Sequence, residues 1–134
     1  MNYLKFAQAF GKHLSEDDFH GLEQLLSENC IYIRGLKRIY GPANIAKRYE
    51  TNAALAAQKL DWGEGGESKS KMLNKETAEV VLTEYIKHNG LRYTYKFKVI
   101  LGFDTHGKIK RIEHEDLPGE DAALKDYYRR IGLI

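Results

Sequence analysis

Residues Ala78 to Phe103 read AEVVLTEYIKHNGLRYTYKFKVILGF. Two runs rich in Val, Ile, Thr, Tyr and Phe flank Asn89-Gly90, and two residues of that kind between β-rich runs are the strongest short signal for a hairpin. A two-residue turn pairs His88 with Leu91, Ile86 with Tyr93, Glu84 with Tyr95, Leu82 with Phe97 and Val80 with Val99. Side chains alternate along a strand, so these residues share one face, apolar enough to be the inner one. Val81, Thr83, Tyr85, Lys87, Arg92, Thr94, Lys96 and Lys98 take the other.

Towards the C-terminus, Ile109 to Asp116 reads as the next strand, after the turn Asp104-Thr105-His106-Gly107. A four-residue loop pairs Phe103 with Lys108. Inside, Val99 then meets Ile112, Phe97 meets His114 and Tyr95 meets Asp116; outside, Lys98 meets Glu113 and Lys96 meets Glu115. A three-residue loop closed by a Gly107 bulge shifts the register by one and turns Glu113 and Glu115 inward. Ile109 and Ile112 have opposite parity, so neither register buries both without a bulge. The four-residue loop pairs every charge and is the expected one. Pro118-Gly119 ends the sheet, and Leu124, Tyr127, Tyr128 and Ile131 mark an amphipathic C-terminal helix.

Upstream, the chain reads as helices interrupted by one strand. Leu4, Ala7, Phe10 and Leu14 follow a helical repeat, and Ser15 with Asp18 suggests a capping box opening a second helix that carries Phe19, Leu22, Leu25 and Leu26. Cys30 to Arg34 is a short β-branched and aromatic strand. Gly41-Pro42 opens a third helix with the buried stripe Ile45, Tyr49, Ala53, Ala56 and Leu60. Asp61 to Glu67, with three glycines, reads as a loop, and Ser68 to Leu73 as a strand.

The length of 134 residues suits one domain, and the net charge is +2. That balance argues against nucleic acid or an anionic membrane as the main partner. No apolar run approaches the ~20 residues of a membrane span, and the N-terminus lacks the pattern of a signal peptide. A single cysteine, Cys30, excludes an internal disulfide and any multi-cysteine metal site. A soluble cytoplasmic protein is expected.

The residues Leu22 to Tyr32 (LEQLLSENCIY), Tyr40 to Ile45 (YGPANI) and Phe103 to Ile112 (FDTHGKIKRI) give the chain an order of elements that resembles the nuclear transport factor 2-like superfamily. SnoaL-like polyketide cyclases, ketosteroid isomerases and limonene epoxide hydrolases are its members nearest in style. The resemblance implies an α+β, cystatin-like cone: N-terminal helices on a curved, mostly antiparallel sheet, a pocket at the open end, often a homodimer. It covers residues 1–117, with 118–134 as a helical extension of the same domain. The named catalytic motifs do not match. Arg34-Gly35 stands where ketosteroid isomerases place an Asp, and neither Glu84-x-Ile86 nor Tyr85-x-Lys87 supplies the Arg-x-Asp of the epoxide hydrolases. Tyr32-x-Arg34 resembles their water-positioning strand, with Arg in place of Asn.

The inner face therefore carries the candidate site. Glu84, His114 and Asp116 are the candidate catalytic residues: a carboxylate among Leu82, Tyr95 and Phe97 is pushed towards its neutral form, and a nearby His can exchange protons with it. Tyr32, Arg34, Tyr93, Tyr95, Phe97 and Trp62 are the candidate ligand-binding residues, with the tyrosines as donors to an oxyanion and Arg34 as the partner of a carboxylate or enolate. The expected ligand is a small apolar molecule with one polar or anionic group, handled without a cofactor. A metal would have only His114, Asp116 and Glu84 to hold it. The plainer reading makes these residues a satisfied polar network on a non-catalytic ligand-binding or dimeric interaction module. Lys87, Arg92, Lys96 and Lys98 form a basic outer strip in which only Tyr85 could stack on a base, so nucleic acid is a weaker reading.

Overall fold

The computed structural model describes residues 1–134. Helix α1 (Tyr3–Ser15) opens on Asn2, whose side chain accepts from the Lys5 amide at 3.1 Å. Helix α2 (Phe19–Gln24) is capped by Asp18, which accepts from the Gly21 amide at 2.9 Å. The expected capping box is thus replaced: Ser15 ends α1, and its hydroxyl donates to the Gly66 carbonyl at 2.6 Å. Leu26, expected on the second helix, instead begins strand β1 (Leu26–Arg34).

The remaining elements are β2 (Lys37–Tyr40), α3 (Pro42–Lys59), β3 (Trp62–Met72), β4 (Thr77–His88), β5 (Leu91–Phe103), β6 (Ile109–Asp116) and α4 (Glu120–Arg130). They form one curved six-stranded sheet in the order β2-β1-β6-β5-β4-β3, with β1 and β6 parallel and every other pair antiparallel. Strand β2 escaped the sequence reading because four residues, two of them basic, show no periodicity of their own. Strand β3 runs through the glycine-rich segment expected to be a loop. Two of its three glycines serve packing. A side chain at Gly65 would run into the Ser15 backbone, and one at Gly66 into the Tyr85 ring, so the end of α1 lies directly on the sheet.

The β4–β5 register is the expected one, closed by Asn89 (φ 50°) and Gly90 (φ 80°) in the left-handed pair of a type I′ turn. The β5–β6 register is not. The turn is the three-residue form, with the Asp104 amide bonded to the Lys108 carbonyl at 2.9 Å and Gly107 at φ 82°. Asp104 also accepts from the His106 and Lys108 amides, both at 2.9 Å, which locks the loop. Phe103 accordingly pairs with Ile109, and an irregularity then shifts the register again, so that Gly102 pairs with Arg111 and Leu101 with Ile112.

Two one-residue shifts restore the original facing. Ile109 and Ile112 are both fully buried, and Val99 meets His114 where Phe97 was expected. Lys98 pairs with Glu115 rather than Glu113, at 3.2 Å, and also reaches Glu79 at 3.6 Å.

The main core lies between the concave face and the helices, around Phe10, Leu22, Ile45, Val80, Val99, Leu101, Phe103, Ile109 and Ile112, all without solvent exposure. A separate cluster of Leu60, Ile86, Tyr127 and Ile131 fastens α4 across the sheet. Tyr127 stacks on Tyr93 at 5.1 Å, and its hydroxyl donates to the Leu91 carbonyl at 2.7 Å.

Replacing Gly65 with Ala is expected to cost about 1–3 kcal/mol, because the backbone of α1 must move. Gly63→Ala meets nothing nearer than 3.9 Å and should change stability little. Urea unfolding of the two variants checks the contrast; equal midpoints would show that α1 does not rest on Gly65.

Candidate functional site

Three adjacent strands end at the mouth of the cone. Tyr32 pairs with Ile112 across the parallel β1–β6 ladder, so Arg34, two residues beyond Tyr32, and His114, two beyond Ile112, stand on the same concave face. Asp116 follows His114 by two more. On the far side, Val99 and Phe97 of β5 pair with His114 and Asp116.

These neighbours make contact. The His114 ring stacks on Phe97 at 5.0 Å with 14° between planes, and Phe97 stacks on Tyr95 at 5.7 Å. The His114 side chain is only 6% exposed, and its Nε2 lies 3.1 Å from Asp116 Oδ1. The Arg34 guanidinium donates to the same oxygen at 3.5 Å. Asp116 and Arg34 are about half exposed, so they form the rim while His114 lies behind them.

Burial dominates the electrostatics. Desolvation and the Arg34 charge hold His114 below the usual imidazole range, against the pull of Asp116, so the ring is neutral at pH 7. A carboxylate can only accept, which places the proton on Nε2 and leaves the Nδ1 lone pair free. Burial raises the Tyr95 hydroxyl to about 12, and raises Tyr32 as well, partly offset by Arg34. Both tyrosines remain hydrogen-bond donors at neutral pH.

Glu84 stands across from Tyr95 on the same face, as the hairpin register requires. Solvent reaches it, yet protein surrounds it as it would any residue on a concave wall. Desolvation, with repulsion from Asp17, raises its pKa. No hydrogen bond joins it to His114; its neighbours are Tyr95 and Tyr128. The expected catalytic trio therefore divides into a coupled His114–Asp116 pair and a separate carboxylate.

The candidate binding residues divide as well. Tyr32, Arg34, Tyr95 and Phe97 surround the pair. Tyr93 is engaged by α4, stacked on Tyr127 and donating to Glu120 at 3.3 Å. Trp62 begins β3 on the sheet edge, 46% exposed and outside both apolar clusters. No three His, Cys, Asp or Glu side chains come together in a way that would hold a metal ion. Two hollows lie away from this patch. One of about 220 Å³ is lined by Asn52, Leu55, Lys59 and the C-terminal Leu133 and Ile134; the other, of about 180 Å³, lies between α4 and the start of β5.

Tyr49 is a residue beside the candidate site that pattern alone did not reveal. Its ring lies edge-on to Tyr32 at 5.7 Å and to Phe10 at 6.4 Å, and its hydroxyl is buried with no partner in the protein. Helical spacing marked it as core. The available signal was its hydroxyl, the one polar group in a stripe otherwise made of Ile, Ala and Leu.

No protein-family model and no curated protein sequence matches the chain. Solved structures do. TerC, co-crystallised with polyporic acid, superposes with a TM-score of 0.69 at 15% identity, over 92% of this chain and 95% of that one. A candidate polyketide cyclase from Pseudomonas putida gives 0.65 at 16% identity, over 92% and 97%. An LEH-like epoxide hydrolase from M. tuberculosis gives 0.62 at 16% identity, over 88% and 80%.

Two outcomes follow from the geometry. Tyr49→Phe removes an unpaired hydroxyl, so its thermal midpoint should equal or exceed that of the parent protein; a fall would mean that the hydroxyl has a partner in the fold. The pH arguments have opposite signs. His114 binds its proton more weakly folded than unfolded, so it takes stability away as pH falls below its unfolded value of about 6.5. Glu84 binds its proton more tightly folded, so it takes stability away as pH rises above about 4.5. Glu84→Gln should therefore raise the urea midpoint at pH 7 and leave it unchanged near pH 4.

Proposed function

With the nuclear transport factor 2-like fold of the SnoaL-like proteins as premise, we propose that this chain binds a small, largely apolar molecule at the Arg34–Asp116 rim and moves a proton on it with His114. The observation that carries the reading is the buried, neutral imidazole held between Phe97 and Asp116, with Arg34 beside it. Fold alone assigns no chemistry, since one fold hosts many activities. The residues supply the argument.

A flat apolar ligand would lie against Phe97, Tyr95 and Tyr32. Arg34 would exchange its exposed contact with Asp116 for an anionic or enolic oxygen of the ligand, at little cost, because ion pairs this open to solvent contribute only about 0–1 kcal/mol. The Nδ1 lone pair of His114 takes a proton from carbon next to a carbonyl, and Asp116 stabilises the imidazolium that forms. The protonated tyrosines donate to the developing oxyanion. Glu84 makes no hydrogen bond to this pair and would not share the proton; it would set polarity further along the same face, beside Tyr95. The chemistry is isomerisation, dehydration or aldol-type cyclisation.

Polyporic acid, the ligand of the TerC structure, is the first binding probe. Titration should show binding to the parent protein and to His114→Ala, with a loss of about tenfold or more in Arg34→Ala, the ordinary scale of a charged contact. Proton transfer is read separately, as deuterium exchange at the acidic carbon of an aryl β-keto ester in heavy water. His114→Ala should slow the catalysed exchange about 10²-fold or more. Exchange no faster than in buffer, with binding intact, would leave a non-catalytic ligand-binding module.

A further inference from the structure

The net charge of +2 conceals a strong local bias. Between Glu28 and Glu50 the chain carries Arg34, Lys37, Arg38, Lys47 and Arg48 and no acidic residue. The β1–β2 hairpin lies in this stretch, and at its tip Leu36 is 99% exposed. Tyr40, at the far end of β2, is 63% exposed. Strand β2 is one of the two edges of the sheet.

The tip is built rather than loose. Arg34 pairs with Lys37, so Gly35 and Leu36 form a two-residue turn, with Gly35 at φ 59°. Arg38 folds back on it, donating to the Gly35 carbonyl at 2.7 Å and the Lys37 carbonyl at 3.0 Å. One nitrogen of the Arg38 guanidinium is thereby held against the turn, its other N–H groups making no bond within the protein, and the exposed Leu36 side chain projects beside Lys37. Arg34 also reaches Asp116, and Lys47 reaches Glu50 at 3.9 Å; Lys37 has no acidic partner.

We propose that this hairpin tip docks on an anionic lipid surface, with Leu36 entering the headgroup region and Lys37 and Arg38 meeting lipid phosphates. Charge selects an anionic partner, and shape selects a bilayer. A single convex leucine needs a matching concavity on a protein partner, and a four-residue tip falls far short of the roughly 800 Å² per side that a stable protein interface buries. A bilayer needs no matching pocket and adds an attraction for each cation near its surface. The basic edge also repels a second copy of itself. Because Arg34 belongs both to this hairpin and to the rim of the site, a docked chain would turn the cone mouth towards the membrane. That an apolar ligand passes across there rests on the ligand reading above; the docking does not.

Sedimentation with vesicles tests it, using phosphatidylcholine alone and phosphatidylcholine with about one third phosphatidylglycerol. The parent protein should co-sediment with the anionic vesicles at low salt, release as salt rises, and stay free of the neutral ones. Leu36→Asp and the double variant Lys37→Glu, Arg38→Glu should each weaken partitioning by about tenfold or more. Leu36 and Lys37 are exposed, so Leu36→Asp and Lys37→Glu alone are expected to fold, which circular dichroism would check. Failure to sediment with anionic vesicles overturns the proposal, as does binding that Leu36→Asp leaves unchanged. Neither result bears on polyporic acid binding, which is measured without lipid.

Discussion

The arrangement at the mouth of the cone depends on two one-residue displacements between β5 and β6. The Gly107 turn shifts the register once, and the irregularity opposite Gly102 shifts it back in parity. Either displacement alone would send His114 and Asp116 to the outer face and bring Glu113 and Glu115 into an apolar interior, where unpaired carboxylates are costly. With both, Ile109 and Ile112 reach the core together, and His114 lies against Phe97. The hydrophobic demand of two isoleucines of opposite parity thus fixes where a titratable group can sit.

Once inside, the imidazole is shaped by its surroundings rather than by its own chemistry. Burial and a neighbouring guanidinium hold it neutral, and one carboxylate fixes its proton on Nε2. The same face carries a Glu84 with no basic partner, and the unpaired Tyr49 hydroxyl of α3 lies near Tyr32 on it. Groups left in this condition cost stability, and a fold that retains them is expected to use them. Helix α4 packs on the same sheet against β4 and β5. It covers Tyr93 and Ile86 through a small cluster separate from the main core.

Much of the architecture was legible in the residues. Asn89-Gly90 set the β4–β5 pairing to the residue, because a two-residue left-handed turn permits only one register. The apolar spacing of α1 and the Gly41-Pro42 opening of α3 are local signals, and the structure follows them. Other elements left no local trace. Strand β2 exists because β1 offers it a partner, and the glycines of β3 are extended because α1 must approach the sheet closely there. Ser15 fits a capping box in sequence, yet its hydroxyl is claimed by Gly66, a residue distant in the chain.

By itself, then, the sequence determined which face of the β4–β5 hairpin is apolar, where its turn falls and which side chains could share the concave wall, since these follow from alternation and turn chemistry. Only the tertiary structure decided the β5–β6 register, the separation of Glu84 from His114, the withdrawal of Tyr93 beneath α4 and the unpaired state of Tyr49. Each of these depends on contacts between residues far apart in the chain. The opposite parity of Ile109 and Ile112 showed that a bulge was needed, but which turn forms and where the second shift falls were settled only by packing the core.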